Sequence, residues 1–401
     1  MVIVSRPVVS DDLRGSSDGV AELRHRLSDV GRAAGLVAVG FASVEPFVDA
    51  RRALEDRLAT GMDAGMRFTF RNPARSTTPA GALPDAAALV VGAWPYPAVD
   101  GGADPGPEGL VARYAVGEQH ERLCLALRAM ADILRAAGHR TRVLADDNAL
   151  VDRAAAHRAG LGWYGKSANL LVPGHGPWVV LGSVLTDADL AEETRTVSDG
   201  CGSCRRCLDA CPTGAIVDDG MVDARRCLSW LLQDTGVFPA EHRVSLGARI
   251  YGCDTCLEVC PPGRANAVTV APPGRRRDVV DVLELDDDAL LASAGRWYVA
   301  DRDPRYLRRN ALVVLANVGD PTSPGVRRVL GHHLGHDDPL VVAHAVWAVR
   351  RLGLDALLDE LRPWHRGHPL VVAELDRPVE QGSSAGSVSA ASEIRSVDPN
   401  R

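Results

Sequence analysis

Cys201, Cys204, Cys207 and Cys211 stand as C-x2-C-x2-C-x3-C, with Pro212 directly after them. Bacterial ferredoxins use this run to hold four-iron four-sulfur cubanes. The first three thiolates wrap one cubane, and the fourth, held off by the proline turn, reaches a neighbouring one. A second run, Cys253, Cys256 and Cys260 followed by Pro261, fits the same pattern, except that Ile250 stands where another cysteine is expected. A cubane needs four ligands, and Cys227 is the only other cysteine near enough in sequence to fill the vacancy. Exchange between the runs assigns Cys201, Cys204, Cys207 and Cys260 to one cluster, and Cys211, Cys227, Cys253 and Cys256 to the other. Zinc also takes four thiolates, but it normally uses paired C-x2-C knuckles without a trailing Cys-Pro. The ninth cysteine, Cys124, sits among Leu123, Leu127 and Ile133 and reads as a small buried hydrophobe.

Two adjacent clusters conduct electrons but do not by themselves transform a substrate, so other residues must hold the chemistry. Asp146 and Asp147 follow the apolar segment Thr141 to Ala145, a strand whose carboxyl end is where α/β folds place ligands. Of the 45 basic residues 44 are arginine, and Lys166 is the single lysine. A lysine kept against that bias suits a role that needs a compact ammonium instead of a planar guanidinium, although an incidental surface position accounts for it equally simply.

The elements that position these groups can be read from periodicity. Val20, Leu23, Leu27 and Val30 have helical spacing, with Gly35 placed to end the helix. Leu36 to Val44 reads as a strand, Pro46 opens a helix toward Leu58, and Ala88 to Ala93 is a buried strand that the prolines at 95 and 97 stop. Glu118 to Ala137 is an amphipathic helix closed by Gly138, and Ala149 to Ala159 a shorter one. Residues 160 to 167 read as a loop, and Ala168 to Val172 and Trp178 to Leu185 as two strands joined by the turn Gly174-His175-Gly176. The expected organisation is an α/β domain over 1–195, a bacterial ferredoxin-like two-cluster domain over 196–265, a linker over 266–282, all-α HEAT-like repeats over 283–376 and a disordered tail over 377–401. The repeat assignment rests on a period of 34: Leu312, Leu315, Val318 and Gly319 recur as Val346, Val349, Leu352 and Gly353.

A length of 401 residues suits two or three folding units. No apolar run approaches the ~18 residues that span a bilayer, and residues 1–10 lack a secretory or twin-arginine pattern, so a cytoplasmic protein without a membrane partner is expected. Nine cysteines in a reducing compartment point to metal and not to disulfides. The net charge of −7 offers no global attraction to phosphate, so any contact with nucleic acid needs a local basic face.

Three stretches together resemble the epoxyqueuosine reductase family: Asp146 to Lys166 (D-D-N-A-L-V-D-R-A-A-A-H-R-A-G-L-G-W-Y-G-K), Cys201 to Ile216 (C-G-S-C-R-R-C-L-D-A-C-P-T-G-A-I) and Tyr251 to Pro261 (Y-G-C-D-T-C-L-E-V-C-P). The extra Cys227 in R-R-C-L-S-W makes the likeness more specific than a generic ferredoxin match. The resemblance covers roughly residues 20 to 355. It implies a base-off cobalamin, held between the α/β and cluster domains and reduced to cob(I)alamin through two 4Fe-4S clusters. This cofactor would convert epoxyqueuosine to queuosine at the wobble position of tRNA.

By the same resemblance Asp146 matches the proton donor to the developing alkoxide, while helix capping is the alternative use of an Asp-Asp-Asn sequence. Arg153 and Lys166 match corrin-lining positions, and backbone groups near Leu170, Leu181 and Val184 match the pocket floor, positions that plain strand packing explains as well. Ser229 and Asp254 are weaker cofactor contacts beside cluster ligands, and Arg71 and Arg113 weaker again. The implied partners are a tRNA anticodon stem-loop and an external low-potential electron donor of ferredoxin or flavodoxin type, with the enzyme a monomer. Arg296, Arg302, Arg305, Arg308, Arg309, Arg327, Arg328, Arg350 and Arg351 could form a phosphate-binding stripe, although Asp301, Asp303, Asp320, Asp337 and Asp338 lie among them. Two departures fall on the nucleoside pocket. Gly117-Glu118-Gln119-His120 stands for the family's G-x-D-Y-H, one residue short and without its tyrosine, and Pro262-Gly263 replaces a tryptophan and asparagine. The competing readings are a dehalogenase-like corrinoid reductase of another small or nucleoside substrate, and an iron–sulfur electron-transfer subunit without corrin.

Overall fold

The computed structural model describes residues 17–96, 106–192, 197–264 and 274–378. The first unit opens with α1 (Ser17–Ala33), β1 (Ala38–Ser43) and α2 (Val48–Ala59). After a short α3 (Pro73–Ser76) come β2 (Ala88–Pro95), β3 (Glu108–Val111), α4 (Gln119–Ala136), β4 (Thr141–Leu144) and α5 (Asp152–Arg158). It ends with β5 (Trp163–Tyr164), β6 (Leu170–Leu171) and β7 (Val179–Thr186). Strands and helices alternate as the periodicity implies, but the main sheet, in the order β1-β2-β7-β4, pairs antiparallel throughout. Its faces separate by residue parity. Leu89, Val91, Ala93 and Leu185 pack under α5, and Val90 and Val184 pack with Leu123, Leu127 and Met130 of α4 and Leu27 of α1.

The expected strands 168–172 and 178–185 do not pair with each other among the described residues; Val172 makes one isolated bridge to Gly176, inside the connecting turn. Instead β6 turns back on β5, inside the segment read as a loop. The turn that allows this runs through Gly165, whose N–H donates to the Asn169 carbonyl at 2.8 Å. Close approach of the two strands requires Gly162, where a Cβ would lie 2.1 Å from the Leu171 carbonyl oxygen.

The second unit strings short elements around the cysteines: α6 (Arg206–Ala210), the hairpin β8 (Ile216–Asp218) and β9 (Met221–Val222), α7 (Leu228–Leu231), α8 (Ala240–Leu246), β10 (Arg249–Tyr251), α9 (Thr255–Glu258) and α10 (Pro261–Arg264). Then follow β11 (Arg276–Asp278), α11 (Val279–Glu284), α12 (Asp287–Ala294), α13 (Pro304–Val318), α14 (Pro324–Leu334), α15 (Pro339–Arg351) and α16 (Pro369–Asp376). Residues 276–282, expected as linker, are therefore strand and helix: β3 is flanked by β10 in parallel and β11 antiparallel, so one small sheet draws on all three units. The Asp278 carboxylate caps α11 by accepting from the N–H of Val280 and Asp281. The tail expected to be disordered lies, from residue 379 on, outside the described residues.

The C-terminal region is helical, and the 34-residue period maps one stretch of α13 onto the equivalent stretch of α15, two helices in direct contact. Their core is continuous with that of the cluster unit through Leu228, Leu231, Phe238, Ile250 and Tyr251. Arg309, 1 % exposed, is anchored here and does not face solvent: its guanidinium donates to the carbonyls of Leu231, Asp234 and Gly236, at the end of the segment that Cys227 begins. Asn310 donates to Leu232 beside it. The basic stripe expected on this unit is correspondingly depleted. Arg308 is buried on Asp287, Arg305 pairs with Asp303 and Asp338, Arg328 with Glu284, and Arg350 donates to the carbonyls of Glu374 and Arg377. Among the described residues no helix is long and apolar enough to cross a membrane.

Candidate functional site: two thiol quartets beside an aspartate loop

Cys207 lies in α6, Cys211 caps its end, Cys227 opens α7, Cys256 lies in α9, and Cys260 precedes Pro261 of α10. These one-turn helices cannot stand alone; they bring together thiols that the sequence separates. The thiols influence one another across the two runs. Burial pushes the Cys260 thiol up to about 11, with like charge from Cys201, Cys207 and Cys204 adding to it. Burial raises Cys256 further, and its charged neighbours begin with Cys253 and Cys227. Cys227, also raised by burial, faces Cys253 and Cys211. For Cys211 burial acts upward, but the N–H groups of Thr213, Ala215 and Ile216 outweigh it and hold the thiol down; the Ala215 N–H reaches Sγ at 3.2 Å. Repelling thiolates gathered half-buried make a donor set that a multivalent positive centre neutralises. The two quartets fit two cubanes, in which each iron takes a single cysteine sulfur. Cys124 is buried in α4, as expected of a core residue.

Asp146 stands exposed on the loop after β4 in a left-handed conformation, φ +55°. Neighbours take over the capping work that could have occupied it. The Asp147 carboxylate accepts from the Ala149 N–H at 2.8 Å and pairs with Arg142, and the Asn148 side chain accepts from the Thr69 N–H at 2.9 Å. A left-handed non-glycine residue costs about 1–2 kcal/mol, and such strain collects at functional sites. The Asp146 carboxyl is thus left for chemistry. Beside it β4 ends at Leu144, opposite Ser183, while β7 runs on to Val179, so Val179, Val180 and Leu181 are half-buried and have β2 as their only strand partner. Asp146 stands at the rim of that edge, and Val180 packs against the same cluster of Tyr96, Trp178 and Leu257 as Cys256, so the edge faces the cluster unit.

The other expected contacts divide. Leu181 lies on the open edge, but Val184 is fully buried in the core under α4 and paired on both sides, to Val90 and Val143, and Leu170 is buried under α5; both are packing residues. Arg153 is exposed and donates to the Ala168 carbonyl at 3.1 Å. Lys166 pairs with Asp219 of the cluster unit's hairpin at 3.1 Å, while its carbonyl accepts from the Gly220 N–H, so the lone lysine clamps two units. Arg113 and Asp254 are brought together, but against each other. The Arg113 N–H donates to Asp254 at 2.8 Å, and its guanidinium, 2 % exposed, meets Glu258 at 2.9 Å and lies over Trp178. Arg275 completes this buried ion-pair cluster at the unit boundary, where burial pushes Asp254 up to about 6. Arg71 is exposed on the loop that touches Asn148 through Thr69, and the Ser229 side chain is hydrogen-bonded to Tyr114. The Pro262-Gly263 departure has a structural reason: Gly263 presses on Gly176 and Trp178, where a Cβ would meet the indole nitrogen at 2.5 Å.

Sequence reasoning missed several residues around Asp146. The Asp152 carboxyl has one buried oxygen without a hydrogen-bond partner, and burial raises its affinity for a proton well above the usual range, with the charge of Asp146 adding to the effect. The Tyr251 hydroxyl is pushed up to about 12, mainly by burial, and Asp146 is among the charges acting on it. His120 lies 3.4 Å from the Ala145 carbonyl. Each left a trace in sequence, Asp152 inside the Asp146 motif, Tyr251 at the head of the third stretch and His120 at the end of Gly117-Glu118-Gln119-His120, but none of them stood out as a site residue. A hollow of about 480 Å³ lined by His332, His336, Asp337, Glu360 and Arg362 belongs to the C-terminal helices and shares no residue with this region.

Known proteins agree with this arrangement. The 4Fe-4S double cluster binding domain family matches residues 200–263. An epoxyqueuosine reductase of Bacillus subtilis is 31% identical over 360 residues, 85% of this chain and 91% of that protein. One from Lactococcus garvieae is 32% identical, covering 78% and 92%. A crystal structure of epoxyqueuosine reductase with an epoxyqueuosine-modified tRNA-Tyr stem loop superposes with a TM-score of 0.79 at 27% identity, over 89% of this chain and 98% of that one.

Proposed function

This chain belongs to the epoxyqueuosine reductase family, and from that premise we propose that it reduces epoxyqueuosine to queuosine in the anticodon loop of tRNA. The observation that carries the reading is Asp146, held at φ +55° at the end of β4 and relieved of capping by Asp147, in a chain that matches a double-cluster domain. The reaction removes the epoxide oxygen with two electrons and two protons, giving an alkene and water. The eight cysteines hold two 4Fe-4S clusters. The cofactor at the open edge is cobalamin, which when bound supplies a two-electron metal nucleophile for the epoxide carbon. Leu181 and its strand neighbours support one side of it, with Arg153 and Lys166 near its periphery.

Asp146 places a proton on the oxygen leaving carbon. Asp152, the first residue of α5, is a second acid within electrostatic reach of Asp146, its proton affinity raised by burial. The C-terminal helices, HEAT-like in their 34-residue period, support the stem-loop, and a ferredoxin- or flavodoxin-type protein supplies electrons to a monomeric enzyme.

Two measurements test this. Anticodon nucleosides from a strain lacking the gene should accumulate epoxyqueuosine, and complementation should restore queuosine; identical profiles discard the substrate. Asp146→Asn should retain iron and cobalamin but lose turnover by about 100-fold or more, and full activity in that variant removes Asp146 from the reaction.

A further inference from the structure

All three units meet at Arg296, Trp297 and Tyr298, between α12 and α13. Trp297 stacks on Tyr251 of the cluster unit, ring centroids 4.4 Å apart and nearly parallel, and its indole N–H donates to the Ala115 carbonyl of the first unit at 3.1 Å. The Tyr298 N–H donates to the Tyr251 hydroxyl at 2.8 Å, the hydroxyl on which the Asp146 charge acts. Arg296 reaches His120 at 3.3 Å, and His120 lies against the carbonyl of Ala145, next to Asp146. The segment is also fixed from behind, since the Arg302 guanidinium donates to the carbonyls of Leu291, Gly295 and Trp297. Asp301 and Arg302 are both held at φ +53° to make that turn.

With so much built to hold three residues, the tyrosine ring itself is left 53 % exposed at the junction, which is joined to the Asp146 loop through Arg296, His120 and the Ala145 carbonyl. Every other aromatic ring of the junction has a packing role; this one offers a rigid, open face. We propose that Tyr298 is a substrate contact that stacks on the nucleobase presented to Asp146, supplying from the third unit the aromatic group missing from Gly117-Glu118-Gln119-His120. The proposal rests on the functional reading above and names the residue that recognises the base. Aromatic faces bind bases in this way because every base has a π surface, and truncating such a ring typically costs tenfold or more in affinity.

The test is fluorescence anisotropy with the iron- and cobalamin-loaded full chain, using an anticodon stem-loop RNA that carries epoxyqueuosine and the same hairpin abasic at that position. Tyr298→Ala and Tyr298→Leu should each raise Kd for the modified hairpin about tenfold, with iron content and melting temperature unchanged. Tyr298→Phe should bind like the parent. On the abasic hairpin all four proteins should bind alike, since the stacking partner is gone. Equal affinities of parent and Tyr298→Ala for the modified hairpin, or an equal loss on the abasic one, overturn the proposal while leaving the functional reading intact. A parent enzyme that binds neither hairpin overturns the functional reading and the proposal together.

Discussion

At the scale of single residues the chemistry is divided between groups that the chain writes close together and groups that only folding joins. The cysteine spacing is of the first kind, and the expected exchange of ligands between the runs rests on it. This makes a sharp prediction. Cys260→Ser should remove a ligand from the cluster of Cys201, Cys204 and Cys207, although it lies in the other run, and should leave the quartet of Cys211, Cys227, Cys253 and Cys256 complete. Iron should fall from about eight per chain toward four, and the surviving cluster should match the one lost in Cys227→Ser by electron paramagnetic resonance. If Cys260→Ser and Cys227→Ser abolish the same signal, the interleaving is wrong. Asp146 was legible because its motif is contiguous. The Arg113–Asp254 pair was not legible as a pair, because 141 residues separate the partners. Tyr298 lies beyond local reading for the same reason: its importance comes from Tyr251 and His120, which belong to other units.

Among the elements, the helices were read most reliably, because apolar spacing and terminal glycines are local signals; α1, α2, α4 and the α13–α15 period follow them. Strand partners were less readable, since a two-residue strand such as β6 has no periodicity, and its partner is set by where Gly162 permits backbone contact. Helix α14 carries a consequence of packing that can be measured. His333 is fully buried, its Nδ1–H donates to the Val329 carbonyl at 2.7 Å, and Nε2 has no partner. Burial lowers its pKa to about 4, with Arg308, His332 and His336 the positive groups that face it. The unfolded imidazole titrates near 6.5, so between pH 6.5 and 4 the unfolded chain holds the extra proton and stability falls as the solution is acidified. At about 1.4 kcal/mol per pKa unit the loss approaches about 3 kcal/mol. His333→Leu should therefore be close to neutral at pH 7.5 and should flatten the decline of melting temperature from pH 6.5 to 4.5. An unchanged acid slope in that variant would assign the acid sensitivity elsewhere, with His344, also held neutral by burial, the next group to test.

At the scale of the whole molecule, the three units share more than a linker would give them. The small sheet of β3, β10 and β11, the continuous core from Leu228 to the last helices and the buried bidentate pair Arg243–Glu374 all cross unit boundaries. Arginines serve both these joints and the helical unit itself: Arg243 and Arg309 are buried across unit boundaries, while Arg305, Arg308 and Arg328 meet carboxylates within the C-terminal helices. A chain of net charge −7 organised in this way has little free positive charge to displace counterions from RNA. Binding of the stem-loop should then depend on the shape and stacking offered at the junction more than on phosphate neutralisation. Each phosphate contact contributes roughly 0.7–0.9 to the slope of log affinity against log salt. With most of the arginines of the C-terminal helices already bonded to carboxylates or carbonyls, that slope should have a magnitude of about 3 or less. Titrating the loaded enzyme with fluorescent stem-loop from 50 to 300 mM potassium chloride measures it, and a slope steeper than about −6 would mean that a true basic face grips the RNA.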